Sequence, residues 1–330
     1  MSGPVAGKFV SEDYNEDRLG IDAFSANNQE NHQKGSLLMS DPKVSVIIPC
    51  YNYGAYIDEA VDSVLSQTFT DYEIVIVNDG STDAATIKLL TDYRKPKTKV
   101  FHTQNQGVSA ARNYGIEQSS GEYILPLDPD DKIGATYLEK AVPVLELNPR
   151  IGIVYCKVNV FGTVSGDWNW PSFSIEQMLY RNVIFNSALF RKRDWLTAGK
   201  YKTDFLYAGE DWDLWLSILE QGYGVFQIPE VLYYYRRHDG GQRSTTGAQE
   251  VKDIHTYEHL LKFHRKLYEQ HWAPLLRTAF RLQMENAALQ DRLSLMADGE
   301  EGGNRQRIIN LVVRVSKLLP RSLVRKILGT

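Results

Sequence analysis

The sequence predicts an α/β fold: a mostly parallel sheet flanked by helices, with a helical carboxyl-terminal extension. Two observations lead there. From Lys43 onward, short β-branched runs alternate with segments whose apolar residues recur at helical spacing, as in right-handed βαβ units. Three of those runs end abruptly in polar clusters, and open parallel sheets bind ligands beyond the carboxyl ends of their strands.

Taken in order, residues 1–42 are polar, rich in Asn, Gln, Ser and acids, and lack a sustained apolar period, so they read as a mobile extension. A catalytic domain spans 43–240. Its first strand is Val44 to Ile48, followed by a helix presenting Ile57, Ala60, Val61, Val64 and Leu65 on one face. Glu73 to Val77 and Val100-Phe101 read as strands. A helix over Ser109 to Gln118, a strand Tyr123 to Leu127, a helix Ala135 to Leu147 and a strand Ile151 to Cys156 complete the regular half.

The second half is less regular. Gly166 to Asn186 concentrates Trp168, Trp170, Phe173, Tyr180 and Phe185, a density that suits a core and a sugar-stacking wall equally. Ala188 to Phe190 reads as a short strand. Glu210 to Glu220 reads as a helix with Trp212, Trp215, Leu216 and Leu219 on one face and Gly222 as its stop. Val231 to Arg237 is strand-like, residues 241–300 form a helical extension, and 301–330 form a basic amphipathic tail helix.

Bulk properties narrow the function. With 330 residues, 43% hydrophobic and 24% charged, the chain suits a soluble enzyme of one or two domains. A net charge of -4 excludes a protein that coats nucleic acid, which needs a basic surface. Cys50 and Cys156 lie in or at the end of apolar runs, so buried reduced thiols are expected and no disulfide framework. Without a bilayer-length apolar stretch or a signal sequence, the expected location is cytoplasmic.

From Arg305 the tail carries Arg307, Arg314, Lys317, Arg321, Arg325 and Lys326 with no acid, opposite Ile308, Leu311, Val312, Val315, Leu318 and Leu319. Residues 305–330 thus suit peripheral contact with the anionic inner face of the cell membrane, and equally packing on the catalytic domain or on a second subunit. Leu282, Leu289 and Met296, seven apart, suggest helix pairing and a homodimer, over too short a run to specify a coiled coil.

The chemistry concentrates after Tyr123, where an apolar strand ends in Asp128-Pro129-Asp130-Asp131. Carboxylates this close repel one another unless a cation sits among them, and Mg²⁺ or Mn²⁺ held by one or two of them keeps positions open for phosphates. A nucleotide diphosphate is the ligand this suggests. The other clusters are Pro49-Cys50-Tyr51-Asn52 and Asn78-Asp79-Gly80-Ser81-Thr82-Asp83.

With Asn105-Gln106-Gly107-Val108-Ser109-Ala110-Ala111-Arg112-Asn113 and Gly209-Glu210-Asp211-Trp212-Asp213-Leu214-Trp215, these motifs stand in an order and approximate spacing that resembles glycosyltransferase family 2, over about Val44 to His238. The resemblance implies a Rossmann-like GT-A fold and an inverting transfer of a sugar from a nucleotide-sugar donor, with UDP favoured, to a hydroxyl of a glycan or glycolipid acceptor. It implies that Asp79 accepts the uracil N–H, with Pro49, Tyr51 and Asn52 as the base and ribose wall. For Asp79 the alternative is a turn capping the next helix.

Arg112, as an exposed guanidinium, would reach the nucleotide, or else lie on a solvated helix face. The Asp-x-Asp resemblance gives Asp130 to the metal, Mn²⁺ or Mg²⁺, and Asp128 to the ribose or the metal shell, with Pro129 a departure that rigidifies the loop. His238 matches a third metal ligand in some members, against a surface histidine. Asp211 resembles the base that deprotonates the acceptor, with Glu210 and Asp213 as further candidates and Glu210 better suited to the helix start. Competing classes are a nicotinamide oxidoreductase, for which Pro49 to Gly54 lacks Gly-x-Gly-x-x-Gly, and a noncatalytic glycan-binding or scaffold protein retaining the fold.

Overall fold

The structure is a computed structural model that describes residues 41–167, 170–205, 208–238 and 249–277, with 281 and 284. The amino-terminal extension, the heptad-spaced Leu282, Leu289 and Met296, the basic tail and Trp168 lie outside the described residues. Packing divides the chain into two compact units, Met1–Thr256 and Tyr257–Thr330.

The first unit is built on one sheet. Strands β1 (Val44–Cys50) and β2 (Tyr72–Asp79) are buried at every position, which is why both read as unbroken β-branched runs instead of alternating ones. With β3 (Thr98–Thr103) and β4 (Tyr123–Pro126) they form the parallel order β3-β2-β1-β4, in which Val44 lies opposite both Tyr72 and Tyr123. Helix α1 (Gly54–Leu65) buries Ile57, Ala60, Val61 and Val64, the face its spacing predicts. Helix α2 (Ala84–Thr91) is capped by Asp83, whose carboxylate accepts the Thr86 N–H at 2.8 Å.

Helix α3 (Val108–Gln118) lies close on the sheet because Gly115 has no side chain; a Cβ there would stand 2.7 Å from Ile47 Cγ2 and 3.0 Å from Val77 Cγ2. Its buried face is Ser109, Ala111, Arg112, Gly115 and Ile116.

Beyond β4 the sheet becomes mixed. After β5 (Lys132–Ile133) and α4 (Tyr137–Leu147) come β6 (Ile151–Gly162), β7 (Gly166–Asp167), α5 (Ile175–Met178), β8 (Leu189–Arg191), α6 (Lys192–Thr197), α7 (Glu210–Leu219) and β9 (Gly224–Arg237). The antiparallel β8 joins the two halves, since β4 pairs with it on one side and β6 on the other. β6 and β9 run parallel with register shifts between Cys156/Lys157 and Lys157/Val158. Pro229 and Glu230 are the residues β9 inserts at the first shift, a place where proline need not donate to the ladder.

The core runs under β1, β2, β4 and α4, with Val46, Ile48, Ile76, Leu125, Tyr137 and Leu138 fully buried. Cys50 and Cys156 are buried free thiols, and burial pushes them up to about 11 and about 12 respectively. Helix α8 (Gln249–Phe263) crosses the unit boundary, and α9 (Arg265–Gln270) belongs to the second unit. Among the described residues no helix is long and apolar enough to cross a membrane.

Candidate active site

Because β1, β2 and β4 are adjacent and parallel, the segments that follow them open on the same edge of the sheet. Asn52 holds two of these segments together. Its backbone adopts φ 62°, a left-handed value asparagine tolerates, and its Oδ1 accepts the Thr82 and Asp83 N–H groups at 2.8 and 2.9 Å. Pro49 is buried at the end of β1, while Tyr51 beside it is 43% exposed at the rim.

Asp79 does not cap the following helix, a task Asp83 performs. Its carboxylate turns instead to the loop before α3, accepting the Gln106 N–H at 3.0 Å and the Gly107 N–H at 2.9 Å. A carboxylate has roughly four acceptor positions, so room remains for a ligand donor.

The three carboxylates after β4 have separate environments. Asp131 is buried, accepting the Arg236 N–H at 2.7 Å and the Tyr233 hydroxyl. Burial, and then the charges of Asp130 and Asp128, raise its carboxyl well above the usual range. Arg236 Nε also donates to the Asp130 carbonyl at 2.7 Å, so the end of β9 is tied to this loop and His238 arrives beside it.

His238 Nε2 lies 3.1 Å from Asp130 Oδ2, with its ring between Tyr53 and Tyr56 at centroid distances of 5.8 and 5.2 Å. Burial and the Asp128 charge raise the Asp130 carboxyl, while His238 pulls it down. Burial, and then the charges of Asp130 and Asp128, push Tyr53 up to about 12.

This pair suits a divalent ion. Two donors occupying neighbouring positions of an octahedral ion with bonds of ~2.1 Å stand roughly 3.0 Å apart. Among the described residues no group of three or more His, Cys, Asp or Glu side chains forms a complete ligand cage. A two-donor site is the arrangement Mg²⁺ adopts where phosphates and water supply its other ligands.

A second group of acids lies in the first turn of α7, where three of them suit the positive end of the helix. Each has a different partner. Asp213 is fully buried, with Lys202 at 3.3 Å. Glu210 accepts from Arg112 Nη1 at 2.6 Å. Asp211 accepts from Asn182 Nδ2 at 3.0 Å and from the Trp212 N–H at 2.8 Å.

Arg112 corrects an expectation. Its side chain is 3% exposed, where the sequence reading had it exposed and reaching the nucleotide. It lies on the buried face of α3, and its second Nη donates to Asp128 Oδ1 at 2.7 Å. Asn186 Nδ2 approaches the same oxygen at 3.2 Å. Hydrogen bonds therefore run from Glu210 through Arg112 to Asp128, and Asn182 holds Asp211, the residue next to Glu210.

Asn182 and Asn186 were not among the sequence candidates. They sit in an irregular stretch without periodicity, and two asparagines seven and three residues before a short strand carry no motif signal. Asn182 Oδ1 accepts the Ile184 N–H at 3.2 Å, so its amide is oriented with the nitrogen toward Asp211.

The chain is 32% identical to the chondroitin synthase of Pasteurella multocida over 221 residues, 65% of this chain and 22% of that protein, so it spans about a fifth of that relative's length. An uncharacterized glycosyltransferase of Haemophilus influenzae is 33% identical, with 64% of this chain and 70% of that one covered. Among solved structures, S. aureus TarS 1-349 in complex with UDP-GlcNAc superposes with a TM-score of 0.54 at 20% identity, covering 70% of this chain and 73% of that one. The Glycosyl transferase family 2 profile matches residues 45–210, from β1 to the first residue of α7. Covering half of the chain, that match makes it a member of glycosyl transferase family 2, with the GT-A fold.

Proposed function

We propose that this protein is a metal-dependent, inverting hexosyl or N-acetylhexosaminyl transferase that moves a sugar from a UDP-sugar to a hydroxyl of a glycan or glycolipid in cell-surface polysaccharide synthesis. The observation that carries this reading is the bridge that Arg112 makes between Glu210, the residue before Asp211, and Asp128, two residues before the Asp130 that meets His238. UDP is supported by the neighbour solved with UDP-GlcNAc, and polysaccharide synthesis by the relatives named chondroitin synthase and hyaluronan synthase.

In this reading Pro49, Tyr51 and Asn52 form the wall for base and ribose. Asp79 keeps an acceptor position for the uracil N–H while its other bonds shape the Gln106-Gly107 turn. Asp130 and His238 would hold Mn²⁺ or Mg²⁺, which when bound offsets charge building on the departing diphosphate. Asp211 takes the acceptor proton as the hydroxyl oxygen bonds to the anomeric carbon. The bond from that carbon to the diphosphate breaks on the opposite face, and its electron pair leaves with UDP. Asn182 and the Trp212 N–H fix the Asp211 carboxylate so that it does not have to be ordered during reaction. The basic segment 305–330 would add peripheral contact with the cytoplasmic face of the membrane; the tail-deleted protein remaining with membranes on fractionation refutes this.

The test is UDP release from a panel of UDP-sugars with Mn²⁺, with and without saccharide acceptors. Asp211→Asn is expected to lose turnover, on the order of 10³-fold, while UDP affinity stays within about threefold. A noncatalytic glycan-binding protein would release no UDP from any donor, and near-normal turnover in Asp211→Asn removes that residue as the base.

A further inference from the structure

We propose that Arg112 is a positioning residue. It ties the Asp128–Asp131 loop to the first turn of α7 and so sets the span between the departing diphosphate and the base. This inference rests on the roles given above to Asp130 and Asp211.

Three observations carry it. First, the guanidinium uses different nitrogens for different elements, with Nη2 on Asp128 at 2.7 Å and Nη1 on Glu210 at 2.6 Å. It therefore bridges two carboxylates instead of clamping one, a use for which the planar fork of arginine suits and the point charge of lysine does not. Second, its anchor is rigid, because the missing side chain at Gly115 seats α3 against β1 and β2. The Arg112 stem is buried on that same helix face, and its guanidinium carbon lies 5.5 Å from the centre of the Tyr201 ring. Third, the two tied residues flank the chemistry closely. Asp128 is two positions from Asp130, and Glu210 is adjacent to Asp211.

A role as donor ligand competes poorly, since both terminal nitrogens already serve carboxylates and the side chain is 3% exposed. A purely stabilising role is also a weak explanation, because buried ion clusters are often no more stable than well-packed apolar replacements. What such a cluster does impose is relative position. A displacement of about 1 Å at a reacting group costs on the order of 10²-fold in rate.

The experiment uses the full chain and four variants: Arg112→Met, Arg112→Lys, the charge-balanced pair Arg112→Met with Glu210→Gln, and Asp211→Asn as control. Melting temperature, UDP affinity with Mn²⁺ by calorimetry, and UDP release from the UDP-sugar panel are read for each. Arg112→Met is expected to lower kcat on the order of 10²-fold with UDP affinity within about threefold, and Arg112→Lys to recover part of that loss. The charge-balanced pair, which leaves no added uncompensated charge, regains melting temperature but not kcat.

Recovery of kcat together with stability in that pair would reduce Arg112 to a structural role. A fall in UDP affinity as large as the fall in kcat would make it a donor ligand; either result overturns the proposal. If Arg112→Met does not fold, the lysine variant and the charge-balanced pair decide it alone. A wild type that releases no UDP removes the functional reading itself, and the inference with it.

Discussion

Replacing Asn182 by Ala tests the base without touching it. The side chain makes two bonds, donating to Asp211 Oδ2 at 3.0 Å and accepting the Ile184 N–H at 3.2 Å. A hydrogen bond to a charged group contributes about 1.5–3 kcal/mol. If that sum is lost wholly from the transition state, in which Asp211 must face the acceptor oxygen, kcat falls about 10- to 100-fold. Donor affinity should hardly change, since Asn182 is joined to the donor side only through Glu210, Arg112 and Asp128.

Stability responds separately. The Ile184 N–H loses its acceptor, a cost of about 1–3 kcal/mol if no water replaces it, or a melting temperature lower by roughly 2–12 °C for a chain of this size. The assay is UDP release under saturating donor, with calorimetric UDP titration and a thermal melt on the same preparation. A variant that turns over at the wild-type rate while its melting temperature drops would show that Asn182 only closes its local turn, and the arrangement drawn around Asp211 would fail.

Other outcomes follow from the same structure. Gly209 caps α7 with φ 107°, and a Cβ there would stand 2.5 Å from Thr256 Cγ2, so Gly209→Ala should cost about 1–3 kcal/mol and reduce turnover by displacing Glu210 and Asp211; an unchanged melting temperature and rate would count against it. Asp130→Asn and His238→Ala should each weaken the Mn²⁺-dependent part of UDP binding by at least about tenfold, given that even outer partners of metal ligands contribute that much, while metal-free UDP binding stays put; equal losses with and without Mn²⁺ would remove them as ligands.

Glu73 supplies a pH signature. Burial pushes its carboxyl up, but Lys99 at 2.8 Å, the Ser120 N–H at 2.6 Å and the Ser45 hydroxyl at 2.8 Å outweigh it and hold it below the usual range. A depressed carboxyl stabilises the fold above its unfolded value of about 4.3 and stops doing so as pH falls through the lower folded one. Glu73→Gln should therefore be less stable by about 1–2 kcal/mol at pH 7, a range set low because Lys99 is 56% exposed, and the gap should close as pH falls through the folded value. A gap that persists or widens in acid contradicts the assignment.

The parallel half was legible because burial on both faces leaves a strand few polar positions, so Val44 to Ile48 and Glu73 to Val77 announce themselves in spite of Ser45 and Glu73, which bond each other. The strands came out longer than those runs, Val44–Cys50 and Tyr72–Asp79, since Cys50, Asn78 and Asp79 pair by backbone and contribute no apolar signal. In the second half β9 was seen only from Val231, because Pro229 reads as a break and is in fact absorbed at a register shift.

Asp79 and the Asp128–Asp131 cluster were visible because they end or follow strands, whereas Asp211 stood out through the Gly209 to Trp215 motif at the start of α7. Arg112 was misread as exposed although a signal existed: Ser109, Arg112 and Ile116 share one face at spacings of three and four, and Gly115 beside them marks a close approach. Asn182 and Asn186 gave no such signal, since their positions follow from an irregular connection that only tertiary contacts define.

The seam at β8 has a consequence for how relatives diverge. Loops that follow β1, β2 and β4 are locked in place by a ladder that, among the described residues, takes from the stretch Thr163 to Asn186 only the two-residue β7 at its edge. Because lengthening a loop adds only about 0.6 kcal/mol of closure entropy per doubling, this connection takes insertions at its exposed start, residues 163–166, at little cost. An exchange of the whole stretch between homologues has to keep Asn182 and Asn186 in place, since they hold Asp211 and Asp128.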